Sequence, residues 1–130
     1  MKVPPSTHTF EYTNPHPKGI KNIGDCVFRS ISIATEKPWL EIYDELTTLG
    51  RELLAPPNDT KVYTKYLDKI ASTITVKKNN RMMSANEIAL MYPQDTVVIR
   101  QAGHLVTVKD GKIRDTWNSG SRKAYKAWIL

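Results

Sequence analysis

The sequence predicts an α+β domain with helices first and an antiparallel sheet second. Two observations carry this. Apolar residues recur at helical spacing up to about residue 92, and then the period changes to stretches rich in Val, Ile and Thr. Between two of these stretches, Asp110-Gly111 is a strong two-residue hairpin signal. A length of 130 residues suits one domain. Residues 1–19 read as an extended proline-rich arm and residues 20–130 as the single domain.

The arm holds Pro4, Pro5, Pro15 and Pro17, half of the eight prolines, so it is not helical. From Ile23 the pattern changes: Val27, Phe28, Ile31 and Ala34 predict a helix from Asp25 to Thr35, with Asp25 as its cap or first-turn acid. Pro38 suits the first turn of a second helix, whose apolar face is read as Leu40, Ile42, Tyr43, Leu46, Leu49, Leu53 and Leu54. A third amphipathic stretch runs from about Thr60 to Ser72, with Val62, Tyr63, Tyr66, Leu67 and Ile70 on one side. Ser84 and Glu87 form a capping-box pattern that opens a short helix ending before Pro93. Strands follow at Thr96–Arg100, His104–Lys109 and Lys112–Thr116, and a last one around Ala124–Leu130.

Composition excludes several classes. With 40% hydrophobic and 25% charged residues the chain is neither a disordered tail, a collagen nor a coiled coil. The one cysteine, Cys26, forms no internal disulfide and supplies no four-cysteine or zinc-finger site, so no metal or cofactor is expected. No apolar leader or membrane-spanning run is present, which leads to the expectation of a cytoplasmic protein made without a signal peptide. The net charge of +6 permits attraction to nucleic acid, an anionic membrane surface or an acidic protein, and Arg122, Lys123 and Lys126 form one local basic patch.

The hairpin permits a geometric prediction. If Asp110-Gly111 is the turn, Lys109 faces Lys112, Val106 lies opposite Asp115 and His104 opposite Trp117. His104, Val106, Asp115 and Trp117 then share one face, and His104 and Asp115 are diagonal neighbours. A carboxylate there fixes the imidazole tautomer and stabilises its cation; the alternative is pairing of Asp115 with Arg100 or Arg114. Cys26 stands at a helix start, where the dipole favours thiolate. Packed against the His104 face, it completes a nucleophile, a base and an orienting acid. The Cys26 amide would face the developing oxyanion, with Asn22 as the side chain for a second donor.

These residues carry a resemblance. A cysteine at a helix start, then Gly103-His104 on a strand and Asp115 on the next, is similar to a papain-like cysteine peptidase. Asp115-Thr116-Trp117 resembles that family's Asn-Ser-Trp, and Gly24 to Ser30 resembles small papain-like proteins of bacteria and their phages. The resemblance implies a papain-like α+β fold, with Cys26 as nucleophile, His104 as general base and acid, Asp115 as orienting residue and Trp117 sheltering the site. It departs at Ile20, where the family places its oxyanion-hole glutamine; Asn22 is the substitute.

The expected function is amide-bond hydrolysis in a peptide or protein through a Cys26 acyl-enzyme, with acyl transfer as the nearest enzymatic alternative. A catalytically silent module that grips a protein or nucleotide is the alternative from another class, and nucleic-acid binding by the C-terminal basic stretch is a third.

Overall fold

The computed structural model describes residues 6–130, among which there are four helices and eight strands. The helix expected from Asp25 forms as α1 (Cys26–Thr35), and every residue from Val27 to Ala34 is buried. A helix enclosed on all sides must satisfy its polar residues locally. The Ser30 hydroxyl donates to the Leu105 carbonyl at 2.6 Å, and the Thr107 hydroxyl donates to the Ser30 carbonyl at 2.6 Å.

α2 (Trp39–Leu53) starts after Pro38 as expected, but its buried face is narrower than the one read from sequence. Ile42, Leu46 and Leu49 are buried, whereas Leu40, Tyr43 and Leu54 are exposed. Two residues on a helix turn the side chain by about 200°, which sends Leu40 to the side opposite Ile42. Leu54 is the left-handed C-cap rather than part of the face. Gly50 is required there, because a Cβ would lie 2.6 Å from the Ala55 carbonyl oxygen.

α3 (Thr60–Ile70) is capped by the Asp59 carboxylate, which accepts from the Lys61 amide at 2.9 Å, and buries Val62, Tyr63 and Leu67. It stops before the expected Ser72, and Ile70 is exposed. Ala71 is already extended, and β2 (Ser72–Ile74) pairs antiparallel with β8 (Lys126–Ile129). This strand was not anticipated; the Ser-Thr-Ile-Thr-Val run was its β-branched signal. A small hairpin, β3 (Lys77–Lys78) and β4 (Arg81–Met82), turns through Asn79 and Asn80, both at positive φ. α4 (Ala85–Met91) carries the expected capping box in both directions, Ser84 to Glu87 and back.

The remaining strands are β5 (Thr96–Gln101), β6 (His104–Lys109) and β7 (Lys112–Asp115), joined to β8 and β2 in the order β1-β7-β6-β5-β8-β2. All pairs are antiparallel except β1–β7. The observed ladder has Lys109 opposite Lys112 and Val108 opposite Ile113, the register expected from the Asp110-Gly111 turn.

The sheet separates two cores. On one face α1, α2 and α3 pack on Val98, Leu105 and Trp128. On the other, α4 packs with Val97, Ile99, Val106, Val108 and Ile113. The segment read as an arm belongs to this second core. β1 (Phe10–Tyr12) runs parallel to β7, and Phe10 is 1% exposed. The prolines lie outside this strand, so an aromatic and its flanking residues remain free to pair; Pro4 and Pro5 lie outside the described residues.

Replacement of Phe10 by alanine is therefore expected to destabilise the fold by about 3–5 kcal/mol in urea denaturation, the cost of a buried aromatic. A loss below about 0.5 kcal/mol, the range of surface substitutions, would contradict a structural strand here.

Candidate active site

Cys26 is the first residue of α1 and is half-buried. It lines one cavity with His104 and Leu105, and both act on the ionisation of its thiol. Asp25, read as the cap, occupies the N-cap position but makes no side-chain cap bond. Its carboxylate instead accepts from Arg29, one turn along, and from the Trp39 indole N–H at 3.0 Å. A buried guanidinium is a stronger claimant for that carboxylate than a helix amide.

His104 and Asp115 meet as the hairpin geometry predicts, with Nε2 2.7 Å from Asp115 Oδ2. That occupies one ring nitrogen and leaves Nδ1 as the atom for Cys26. Strand parity groups His104 with Val106 and Val108, on the face away from α1. His104 is, however, the first residue of β6 and Asp115 the last of β7, so both stand at the end of the sheet, where the first turn of α1 reaches them. Asp115 pairs neither with Arg100 nor with Arg114. Its Oδ1 accepts from Arg29 Nε at 3.0 Å and from the Thr116 amide at 2.6 Å, while Arg114 is paired with Glu11. The Trp117 ring lies against the imidazole, with centroids 4.7 Å apart.

Arg29 escaped the sequence reading. It is 4% exposed and bridges Asp25 and Asp115, so one cation joins the helix start to the acid behind His104. The available signal was the four-residue spacing of Asp25 and Arg29 on a helix that is otherwise apolar.

The electrostatics favour a charged pair. Burial alone would raise the Cys26 thiol, but the hydrogen bonds from His104 and Leu105, with the positive charges of His104 and Arg29, bring it below the ordinary thiol value. Burial alone would lower His104; the hydrogen bonds to Asp115 and Cys26, with their charges, push it up to about 9. Each group thus favours the charged form of the other, and Asp115 favours the imidazolium from behind.

Two cavities meet at this pair. One of about 520 Å³ includes Tyr63, Arg100 and Tyr125; the other, about 240 Å³, includes Asn22, Arg29 and Trp117. Gly24, Cys26, Gly103 and His104 line both, so the thiol and the imidazole stand where the two halves of one cleft meet. Asn22 therefore stands beside Cys26, in the smaller half. A further cavity of about 590 Å³ near the other end of α1 contains neither Cys nor His.

Two of the C-terminal basic residues are engaged by neighbouring aromatics. Arg122 lies over Trp117 and donates to the Ala102 carbonyl at 2.7 Å, and Lys126 lies over Trp128. Among the described residues no group of three His, Cys, Asp or Glu side chains is placed to hold a metal ion, and no helix is long and apolar enough to cross a membrane. No protein-family model, curated protein or solved structure matches the chain.

Two measurements test this electrostatic arrangement. In Asp115→Asn the imidazolium loses its anion, so the His104 pKa followed by NMR should fall from about 9 toward the ordinary value near 6.5; an unchanged value would refute the Asp115 contribution. Arg29→Met removes the guanidinium that Asp25 and Asp115 share, leaving Asp25 with the Trp39 indole N–H and no counter-charge, and Asp115 with His104 and the Thr116 amide; it is expected to cost about 3–5 kcal/mol in chemical denaturation. A loss under about 1 kcal/mol, the worth of a surface ion pair, would contradict that network.

Proposed function

We propose that the protein is a cysteine hydrolase of papain-like type that cleaves an amide bond, peptide or isopeptide, through a Cys26 acyl-enzyme. The observation that carries this reading is the grouping of the three side chains: His104 Nε2 lies 2.7 Å from Asp115 Oδ2, and Cys26 lines the same open cleft as His104. A silent binding module has no need of a thiol held below its ordinary pKa by an imidazolium.

In this mechanism the Cys26 thiolate attacks the substrate carbonyl carbon, and the carbonyl electron pair moves onto oxygen. The Cys26 backbone N–H, at the start of α1, and the Asn22 side chain are the donors assigned to that oxyanion. As the tetrahedral intermediate collapses, the C–N bond breaks and His104 gives its Nδ1 proton to the leaving amine. Neutral His104 then takes a proton from water, the resulting hydroxide attacks the thioester, and the Cys26 thiolate departs as the acid product is released. His104 ends the cycle protonated and ready for the next substrate. Asp115 remains an anion throughout, fixing the ring and stabilising each imidazolium state, as in the histidine-carboxylate pairs of other hydrolases.

Alkylation of Cys26 by iodoacetamide checks the activated thiolate without knowledge of the substrate. The rate near neutral pH is expected to exceed that of an ordinary thiol and to fall about tenfold or more in His104→Ala; equally slow rates in the two proteins would overturn the hydrolase reading. With an amide substrate in hand, His104→Ala should lower kcat/KM by about 10²–10⁴-fold. The pH profile has a defined sign. Activity rises as Cys26 ionises, below the ordinary thiol range, and is lost as pH passes the His104 value of about 9, where the leaving-group acid disappears. A profile still rising beyond that point would exclude the ion pair as the active form.

A further inference from the structure

We infer that the larger half of the cleft receives a peptide segment bearing carboxylates, with Arg100 as the residue that selects it. The inference rests on the hydrolase reading for the nature of the cleft and adds the chemical class of its occupant.

Arg100 lies on β5 directly opposite Leu105, whose backbone acts on the ionisation of the Cys26 thiol. Its backbone is thus one strand away from the nucleophile. It lines the cavity of about 520 Å³ that contains Cys26, and also an adjoining cavity of about 560 Å³ along α3. Thr60 is the other residue common to the two, so Arg100 stands at the passage between them.

The state of the side chain is unusual for this protein. The other arginines that are buried or half-buried are engaged: Arg29 by Asp25 and Asp115, Arg114 by Glu11, and Arg122 by the Ala102 carbonyl. Arg100 is half-buried and, among the described residues, its guanidinium makes no hydrogen bond or ion pair. A partly desolvated guanidinium beside an open cleft is a site for an anion, and its planar fork matches a carboxylate.

The surroundings extend the same sign of charge. Lys61, Lys65 and Lys69 recur every four residues on α3 and line the adjoining cavity. The acid that faces them there, Asp68, accepts from the Trp128 indole N–H at 2.9 Å. A field of this kind concentrates anionic ligands. Because Arg100 also lines the cavity that holds the sulfur proposed to attack a carbonyl, an anion bound there belongs to an acyl substrate, which favours an acidic peptide over a nucleic acid.

The test uses the full chain as Cys26→Ala, so that binding is read without turnover. Fluorescence anisotropy compares a short labelled peptide containing glutamates with its glutamine counterpart. The glutamate peptide is expected to bind about tenfold more tightly, the scale of one charge-assisted hydrogen bond. Adding Arg100→Gln should reduce that preference to about twofold or less, while Arg100→Lys retains part of it; thermal unfolding of each variant confirms that it folds. Equal binding of the two peptides up to millimolar concentration, or a preference unchanged by Arg100→Gln, would overturn the inference. So would a single-stranded oligonucleotide that binds more tightly than the peptide and loses affinity with Arg100→Gln. Slow Cys26 alkylation would sink the hydrolase reading instead, and leaves this binding result standing on its own.

Discussion

A guanidinium as enclosed as Arg29 is tolerated only with carboxylates on it, and this requirement ties together parts of the chain that no apolar contact brings into register. One partner, Asp25, immediately precedes α1; the other, Asp115, ends β7. Asp25 in turn holds the Trp39 indole at the start of α2, and the Asp115 carbonyl accepts from the Thr13 amide just after β1. Hydrophobic packing is non-directional and would allow α1 to slide along the sheet. The Arg29 pairings fix its position along that axis, and Ser30 with Thr107 fixes it again one strand away. What is fixed with it is the placement of Cys26 beside His104 on the cleft.

The elements whose patterns are local were legible in the sequence. α1 has an apolar run, α4 a two-sided capping box, and the hairpin of β6 and β7 an Asp-Gly turn; each signal lies within a few residues of the structure it determines. From the turn alone, counting by twos brought His104 to Asp115. The features that were missed depend on distant partners. β1 and β2 are three-residue strands, too short for a period to register, and each exists because an edge of the central sheet is open to it. Arg29 was missed because a charged residue on a predicted helix reads as a solvated one. Only the joint placement of Asp25 and Asp115 makes a buried site for it. Arg100 was considered only as a partner for Asp115, and its position on the cleft follows from cavities that it lines together with residues of α3.

Location at the end of the sheet explains how Cys26 and His104 come to line one cleft. Inside the sheet, His104 would face the α4 core and Cys26 the α1 core, with the strands between them. At the margin the separation vanishes, and imidazole and thiol meet around the edge. Gly24 and Gly103 border that meeting point from the helix side and the sheet side, both at positive φ with open space where a Cβ would stand. The rim is thus kept low by backbone conformation as well as by small residues. The two halves of the cleft differ in character: one has Trp117 beside the imidazole, the other Tyr63 and Arg100, next to the adjoining cavity with its cationic α3 surface.

The parallel strand β1 has a consequence for the order of events during synthesis. Glu11 and Arg114, paired across the β1–β7 border, are 103 residues apart in the chain. Phe10 can therefore find its place only after β7 has emerged, and the reactive cysteine waits almost as long for His104 and Asp115. Contacts of such sequence separation form late because their loops must close first. A chain still being translated carries Cys26 but neither His104 nor Asp115, so the grouping of the three arrives only with the finished sheet.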